Sequence, residues 1–438
     1  MKAILNLPSY HVIDVKEEPH DYHVKAEPAT PPTSCSSCSS TNLVGGGRQE
    51  TLIRDHSVHG KRVSIYVQAR RLKCRDCGKT FTEPLPDVAD GRRMTNRLYK
   101  WVCEQSLQRT FASLAEDVGC TEGSIRTIFR EYIDKLGKSI TFATPEWLGI
   151  DEIHIIGKPR CVITNIEHNK VVNLLENRNK PTVVDYLSKL PNRASIKIVT
   201  MDMWLPCKDA VYGVLPGAVV VIDKFHVVKM ANTCLDTVRK SIREDLTTKQ
   251  RRGLMHDRFF LLMREDELKP FQKLTLEAWT KNFPLLGGAY AAKERLFNMY
   301  LAPTRALAEE ELDAWLISMT PPVKEAFKPL ITAVTNWRTE IFNYFDHPVT
   351  NAYTESLNNL IRTVNRIGRG YSFEALRAKI LYTKGAHQIV TIRPKTQRRE
   401  SDMWEKVTAF TYTEPAVKRI NYGVDISTLL RLIEEGKE

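Results

Sequence analysis

A run of short apolar strands separated by helical stretches, residues 145–223, constrains the fold of this chain more than any other feature. The segment EWLGIDEIHI at 146–155 has the β-branched and apolar residues of a buried strand and carries Asp151 in its middle. Two further strands follow as a hairpin, and two more, SIKIVTMD and GAVVVID, end at Asp202 and Asp223 with a helical stretch before each. This succession predicts one sheet of five strands covered by helices.

The order of these elements resembles that of the ribonuclease-H-like fold, and the likeness is one of topology. Folds of that kind place one carboxylate midway along the first strand, a second directly after the fourth strand and a third on a later helix. Asp151 and Asp202 occupy the first two positions, and Glu355 opens a helix in the later segment 351–381. The likeness implies that the three carboxylates converge at one edge of the sheet.

Three converging carboxylates suit the cleavage or transfer of a phosphodiester. The nucleophile must be activated while the leaving oxyanion is stabilised, and two Mg²⁺ ions about 3.5–4 Å apart do both. Magnesium prefers hard oxygen ligands, which the protein supplies as carboxylates. We therefore expect Asp151, Asp202 and Glu355 to be catalytic and to bind Mg²⁺ or Mn²⁺. For Glu355 the alternative is a structural role, because the helix dipole favours an acidic residue near a helix N-terminus.

Asp202 and Asp223 both end strands, and either residue could simply cap the helix that follows. Asp202 follows the fourth strand of the predicted order, whereas Asp223 follows the fifth and has His226 one turn later. An aspartate–histidine pair suits orientation of a ligand or a contact to DNA near the scissile phosphate, and a packing histidine is the alternative. We expect Asp202 to be the metal ligand and Asp223 and His226 to have supporting roles.

Basic and aromatic residues near these carboxylates are candidates for DNA contacts. Arg362 lies two turns beyond the start of its helix, near enough to meet phosphates beside the metals. Arg366 and Arg369 extend this basic surface. Trp204, just after the fourth strand, could stack on a base near the cleavage site, and a core tryptophan is the alternative.

Two CxxC pairs, CSSC at 35–38 and CRDC at 74–77, indicate a zinc ribbon. Zinc takes four ligands in a tetrahedron, and each CxxC turn delivers two thiolates to one side of it. Gly78 permits a tight turn at the second pair. The first pair is serine-rich and lacks that glycine, so His56 or His59 could replace one ligand, and unrelated free thiols are the alternative. The expected zinc ligands are Cys35, Cys38, Cys74 and Cys77.

The segment FASLAEDVGCTEGSIRTIFREYIDKL at 111–136 has the pattern of a helix-turn-helix. Gly119 makes the turn, Thr121 caps the second helix, and apolar residues at helical spacing give each helix a buried face. Its small alanine and its turn glycine stand where known helix-turn-helix motifs carry them. Arg126 and Arg130 should then project from the second helix towards a DNA groove or its phosphates. The alternative is a helical hairpin that only packs.

The overall charge favours a polyanionic partner. The 438 residues carry 64 Lys and Arg against 52 Asp and Glu, a formal net charge of +12. Such an excess favours phosphate neutralisation with counterion release, and a basic protein without nucleic-acid function is the alternative. There is no run of about 18 apolar residues, so no membrane partner is expected. Nine cysteines, an odd number, favour free thiols in a reducing cytoplasm.

Five segments together resemble the ISL-type insertion-sequence transposases of bacteria: LKCRDCGKTF, GIDEIHI, VTMDMW, VVVIDKFHVVK and the long segment that begins TESLNNL. They occur in the order of that family, which is built as a zinc ribbon, a helix-turn-helix and a DDE catalytic domain split by a helical insertion. The resemblance implies Asp151, Asp202 and Glu355 as the catalytic triad. DKFH at 223–226 resembles a Cys/Asp-x-x-His signature of related Mutator-like transposases.

The resemblance also implies a function. A protein of this kind binds the terminal inverted repeats of an element, cleaves the DNA there and transfers the strand into target DNA. Its partner is therefore double-stranded DNA, in a homodimer or a larger synaptic complex, and its expected location is the bacterial cytoplasm, at the nucleoid. The departure from the family is the serine-rich first CxxC pair.

The predicted fold class is α/β, a ribonuclease-H-like DDE core preceded by a zinc ribbon and a helix-turn-helix domain. The expected boundaries are 1–84 for an N-terminal hairpin and zinc ribbon, 92–140 for the helix-turn-helix domain, 143–392 for the catalytic domain with its insertion at about 235–345, and 393–438 for a basic C-terminal segment. Two other functions fit parts of the pattern. They are a sequence-specific DNA-binding regulator derived from a transposase with an inert catalytic domain, and a nuclease without a transfer step.

Overall fold

The computed structural model describes residues 5–384, and its N-terminal part is a five-stranded sheet. The strands are β1 (Tyr10–Glu17), β2 (Asp21–Pro28), β3 (Leu43–Val58), β4 (Lys61–Cys74) and β5 (Thr80–Thr82). Their order is β1-β2-β4-β3, with β5 paired to β4. Strands β2 and β4 run parallel, and the other pairs are antiparallel. The N-terminal hairpin thereby extends the sheet of the ribbon and shares its apolar core.

Three helices follow this sheet: α1 (Asn96–Ser106), α2 (Phe111–Val118) and α3 (Glu122–Ser139). Each begins after a threonine whose hydroxyl accepts a backbone N–H of the first turn. Helix α2 ends at Gly119, whose φ of +72° is easy for glycine, so the chain turns sharply into α3. The predicted helix-turn-helix is confirmed, and its apolar faces are buried.

A second five-stranded sheet forms the centre of the region expected to be the catalytic domain. Its strands are β6 (Trp147–Ile155), β7 (Lys158–Asn165), β8 (Lys170–Leu175), β9 (Ile198–Met201) and β10 (Val219–Ile222). Helix α4 (Lys180–Ser188) precedes β9, and helix α5 (Leu205–Val214) precedes β10. The sheet order is β10-β9-β6-β7-β8, in which β6, β9 and β10 are parallel and β7 and β8 are antiparallel to their neighbours.

The register of the parallel strands decides which strand-end residues are neighbours. Gly149 pairs with Thr200 across β6 and β9, and Ile222 pairs with Met201 across β10 and β9. Continued by one or two residues, this register sets Asp151, Asp202 and Asp223 side by side on three adjacent strands.

A helical region separates β10 from the last two helices. Its members are α6 (Lys224–Ser241), α7 (Thr248–His256), α8 (Arg258–Leu262), α9 (Pro270–Asn282), α10 (Pro284–Met299), α11 (Arg305–Ser318), α12 (Pro321–Ala326), α13 (Lys328–Asn336) and α14 (Arg338–Asp346). Trp315 and Trp337 are buried in its core, which it shares with the sheet. The region returns to the sheet at α14, where Asn343 donates to the carbonyl of Val220 at 2.8 Å.

The chain then enters α15 (Ala352–Gly368) and α16 (Phe373–Lys384). None of the helices in the described range is long and apolar enough to cross a membrane. The expected basic segment at 393–438, and the last residues of the expected catalytic domain, lie outside the described residues.

Candidate active site

Asp151 lies at the centre of the candidate site, in the middle of β6. Its side chain is buried, and both of its carboxylate oxygens accept hydrogen bonds. Oδ1 accepts the backbone N–H of Glu152 at 2.8 Å, and Oδ2 accepts the side-chain amide of Asn358 at 2.8 Å. The carboxylate is therefore held in one orientation by groups from β6 and from α15.

Helix α15 reaches Asp151 because its first turn packs directly on β6. The amide of the fully buried Asn351 donates to a carbonyl of β6 at 3.4 Å, and the hydroxyl groups of Thr164 and Thr354 lie 2.7 Å apart. Gly149 permits this approach, since a Cβ at that position would lie 2.7 Å from Asn351 Oδ1 and would also collide with Thr164.

Glu355 and Asn358 lie one turn apart on the face of α15 that is turned towards the sheet. Asn358 is 4% exposed, and its amide is within 3.4 Å of the carbonyl of Glu152 as well as bonded to Asp151. Its Oδ1 has no hydrogen-bond partner among the described residues. Asn358 was not predicted from the sequence, although its spacing from Glu355 places it on the same helix face.

Asp223, His226 and Glu355 form a compact group whose carboxylate and imidazole atoms all lie within 4.8 Å of one another. Asp223 caps α6, because its Oδ1 accepts the N–H of Phe225 at 3.3 Å. Its Oδ2 and the Nε2 of His226 are buried and have no hydrogen-bond partner in residues 5–384. His226 Nε2 lies 4.0 Å from Oδ1 of Asp151, which joins this group to the central carboxylate.

Asp202 directly follows β9 and is not a member of that compact group. Its pKa is raised to about 6, first by burial and then by the carboxylate of Glu152, while the guanidinium of Arg178 opposes the rise. Arg178 forms an ion pair with Glu152, and its guanidinium carbon lies 3.9 Å from the centre of the Trp204 ring. One face of the predicted DNA-stacking tryptophan is thus covered by an arginine.

Burial raises the pKa of all four carboxyl groups, and neighbouring carboxylates add to the rise for Asp151, Asp202 and Glu355. The pKa of Asp151 is raised to about 6. Burial is the largest cause and the charges of Asp202 and Asp223 add to it, while the backbone N–H of Glu152 and the imidazole of His226 oppose the rise. The pKa of Glu355 is raised to about 7, first by burial and then by the charges of Asp223 and Asp151, against Lys229. Burial also raises the pKa of Asp223.

Carboxyl groups that repel one another in a buried site form a place where a cation is favoured. A divalent ion would offset both the desolvation and the repulsion of these groups. The donor atoms are mostly hard oxygens, and Asp223 Oδ2 and His226 Nε2 have no hydrogen-bond partner among the described residues. This donor set fits a divalent metal of the Mg²⁺ or Mn²⁺ type.

The arginines predicted to contact DNA lie in different surroundings. Arg362, Arg366 and Arg369 are exposed on α15 and at its C-terminal end. Arg130 is exposed on α3, the second helix of the helix-turn-helix. Arg126 of the same helix instead pairs with Glu122, and its guanidinium carbon lies 4.9 Å from the centre of the Phe111 ring.

The four cysteines of the two CxxC pairs lie together at one end of the N-terminal sheet. Cys35 and Cys77 have their sulfurs 3.8 Å apart, and Cys38 and Cys74 have theirs 3.6 Å apart. Sulfurs at about 2.3 Å from a tetrahedral zinc ion are about 3.8 Å from one another, so the cluster fits zinc. Backbone N–H groups of Cys77 and then Asp76, against burial, lower the pKa of the Cys74 thiol to about 6, which favours the thiolate that zinc requires.

Both knuckles of this cluster have the same turn despite their different sequences. Gly78 has a φ of +73° and donates to the Cys74 carbonyl at 3.0 Å, whereas Ser39 has a φ of +60° and donates to the Cys35 carbonyl at 3.0 Å. Serine thus adopts the left-handed conformation that glycine adopts in the second pair. The candidate replacement ligands lie elsewhere, since His56 packs against Trp101 and His59 is close to Tyr22.

Comparison with known protein families agrees with this arrangement along the chain. Residues 148–380 match the family model of the ISL3-type DDE domain, described as a transposase. Residues 31–77 match the zinc finger of the transposases of IS204, IS1001, IS1096 and IS1165. Residues 83–133 match the helix-turn-helix domain of transposase family ISL3.

Individual relatives agree with the family models. The chain is 26% identical over 330 residues to the transposase for insertion sequence element IS1001 of Bordetella parapertussis, an alignment that covers 73% of this chain and 80% of the relative. It is 25% identical over 360 residues to the transposase for insertion sequence element IS1557 of Mycobacterium tuberculosis strain H37Rv, with 74% and 80% covered.

Proposed function

This chain belongs to the ISL3 family of insertion-sequence transposases, and on that premise we propose that it binds the terminal inverted repeats of its element, cleaves DNA there and catalyses strand transfer. We further propose that its catalytic sheet is ribonuclease-H-like. The sheet order β10-β9-β6-β7-β8, with three parallel strands that carry the aspartates, supports this assignment.

Asp151, Asp202 and Glu355 are the proposed ligands of two Mg²⁺ or Mn²⁺ ions. Asp151 would lie near both of the other ligands, since the strand register sets it beside Asp202 and the packing of α15 on β6 brings Glu355 close to it. Bound divalent ions supply activation of the attacking oxygen and stabilisation of the leaving oxygen of the phosphodiester.

The remaining residues of the site orient these ligands and meet the DNA. Asn358 fixes the Asp151 carboxylate through its amide. His226, whose Nε2 is directed to within 4.0 Å of Asp151, has a supporting role with Asp223 in the same DKFH segment. The exposed Arg362, Arg366 and Arg369 on α15 and Arg130 on α3 contact DNA phosphates.

The observation that carries this proposal is the convergence of β6 and α15, which are about two hundred residues apart in sequence, on one group of carboxyls with raised pKa values. A regulator with an inert catalytic domain would have no need to keep such repelling groups together in a buried site. Synapsis of two element ends would require a dimer or a larger assembly.

The test is cleavage of a labelled duplex that carries one terminal inverted repeat and its flanking DNA, with a supercoiled plasmid as target. With Mg²⁺ the wild-type protein should nick at the repeat end and join it to the plasmid. Asp151→Asn, Asp202→Asn and Glu355→Gln should lose cleavage by at least about a thousandfold while they still shift the duplex in a gel.

Asp223→Asn is the matched comparison for the second metal ligand. It should retain measurable cleavage, since Asp223 caps α6 and has a supporting role. If Asp202→Asn remains active while Asp223→Asn is inactive, Asp223 is the ligand. If the wild-type protein binds the repeat but leaves every phosphodiester intact with Mg²⁺ and with Mn²⁺, the enzymatic proposal fails and the regulator is the better description.

A further inference from the structure

A cavity of about 470 Å³ opens beside the candidate active site, between the starts of α6 and α15 and the end of α10. Asp223 and Glu355 form part of its wall, so that a group bound in it would lie next to the reacting phosphate. Its volume lies within the roughly 300–1,000 Å³ of pockets that enclose small organic molecules. Phe225, Arg264, Phe297 and Tyr300 form further parts of the wall.

Three aromatic side chains, Phe225, Phe297 and Tyr300, form part of the wall of this cavity. Phe225 is 45% exposed at its mouth. The guanidinium of Arg264 lies 5.3 Å from the centre of the Phe297 ring, and the Tyr300 ring stacks on Phe345 at 6.2 Å with an angle of 12° between the planes. Flat rings and a guanidinium plane of this kind bind flat, aromatic groups by stacking.

Two polar groups in the wall are buried without a hydrogen-bond partner among the described residues. They are the hydroxyl of Tyr300 and the Nε of Arg264, whose closest acidic oxygen, on Glu294, is 3.8 Å away. Buried polar groups are nearly always paired, so a pair of unpaired ones in a cavity indicates a ligand with hydrogen-bonding atoms. The edge of a nucleobase carries such atoms beside a flat apolar face.

We propose that this cavity receives a single nucleobase that leaves the duplex beside the scissile phosphate. The inference rests on the proposed function, because DNA is the molecule that brings aromatic rings to Asp223 and Glu355. A duplex is too wide for the cavity, whereas one extruded base meets both the stacking surface and the unpaired donors. Lys224 in the wall and Lys229, whose Nζ lies 6.0 Å from the centre of the Phe225 ring, are available for the flanking phosphates.

The experiment combines variants of the cavity with DNA that lacks one base. The probe is a duplex of the terminal repeat and its flanking DNA, intact or pre-nicked at the repeat end, in which each nucleotide near the cut is replaced in turn by an abasic one. Affinity is measured in Mg²⁺-free buffer, so that the DNA stays uncut. The variants are Phe225→Ala and Tyr300→Phe, and Phe271→Ala is the control, since Phe271 is 74% exposed on α9 and lies outside the cavity.

We expect Phe225→Ala to weaken binding of the complete probe about tenfold and Tyr300→Phe to weaken it about fivefold. At one abasic position these losses should disappear, because the base that the residues contact is gone. Phe271→Ala should bind every probe as the wild type does.

Losses that persist on every abasic probe, or variants that bind the complete probe as tightly as wild type, overturn the proposal. Persistent losses would mean that the two residues only support the fold of the site. The proposed function is judged separately, by cleavage of the complete probe by the wild-type protein with Mg²⁺. That reaction can succeed while the base effect is absent, so the two failures are distinguishable.

Discussion

The carboxyl group of Asp151 is buried among other carboxyls, so its ionisation costs folding free energy in the metal-free protein. Its pKa in the folded protein, about 6, is above the ordinary value of 3.8. The stability of the fold is therefore greatest with respect to this group below about pH 4, where the carboxyl is protonated, and this stability is lost as the pH rises through 6. The cost at pH 8 is on the order of 2–3 kcal/mol. Asp151→Asn should therefore raise the Tm of the metal-free protein by a few degrees at pH 8 and by much less at pH 5.

The measurement is a thermal melt with Mg²⁺ and Mn²⁺ left out, at the two pH values. Asp185→Asn is the control, because Asp185 lies on α4 with its side chain 62% exposed and pairs only with Lys189 among the described residues. Its Tm should follow that of the wild type at both pH values. A lower Tm for Asp151→Asn at pH 8 would show that its two accepted hydrogen bonds outweigh the repulsion.

The side-chain amide of Asn358 orients the carboxylate of Asp151. Asn358→Ala removes the amide that holds Asp151 and should reduce the single-turnover cleavage rate about 10- to 100-fold, with DNA affinity unchanged. The matched control is Asn359→Ala, one residue further, where the side chain is exposed and contacts Arg362. Equal rates for the two variants would contradict the orienting role.

Residue types at strand ends were readable from the sequence, but side-chain partners were not. The register that sets the three aspartates side by side follows from strand order, whereas the grouping of Asp223, His226 and Glu355 depends on how α6 and α15 meet. Ser39 shows a further limit, since the left-handed conformation expected only of a glycine is adopted by a serine. Arg126, expected to project towards DNA, is paired within its own helix.

Among the elements, the contact of α15 with β6 is the one on which the site depends. Gly149→Ala would introduce a methyl group against Asn351 and Thr164, so that α15 must move away and carry Glu355 and Asn358 with it. We expect a loss of about 1–3 kcal/mol in the free energy of unfolding and a large loss of cleavage.

The control for this change is Gly213→Ala in α5, where the new methyl group meets no atom within 4 Å. Alanine there should leave cleavage intact and should stabilise slightly, because it favours a helix. Denaturant unfolding and the cleavage assay measure both effects. Full cleavage activity of Gly149→Ala would contradict the requirement for close packing.

Helix α16 connects the catalytic helix α15 to the helix-turn-helix. The ammonium of Lys379 is buried, donates to the carbonyls of Ser106 and Arg109, and lies 4.6 Å from the centre of the Phe111 ring and 4.9 Å from that of Tyr371. Burial lowers its pKa to about 7, and Arg126 adds to this. Through this lysine, α16 is anchored to the helix-turn-helix region.

Local periodicity predicted most elements, since strands and helices of the catalytic region follow in the expected succession. The parallel pairing of β2 with β4 was not predictable, because it joins residues about forty positions apart and depends on the shared core of Val24, Ile53 and Ile65.

For the whole molecule, the four-cysteine cluster lies on the N-terminal sheet, and the carboxyl groups lie on the second sheet. Cys74→Ser should release zinc and weaken binding to the terminal repeat, because the knuckles hold the end of the β3–β4 hairpin. Cys161→Ser is the control, a buried cysteine of β7 outside the cluster. Zinc content by elemental analysis and affinity for the repeat are the two measurements, and unchanged zinc content in Cys74→Ser would contradict the ribbon.

We propose that Asp151, Asp202 and Glu355 together would hold two divalent metal ions. Anomalous diffraction from crystals of the protein bound to an end duplex and soaked in Mn²⁺ tests it most directly. We predict two peaks, one within coordination distance of Asp151 and Asp202 and the other within coordination distance of Asp151 and Glu355. A single peak held by Asp223, His226 and Glu355, with none at Asp202, would contradict the assignment.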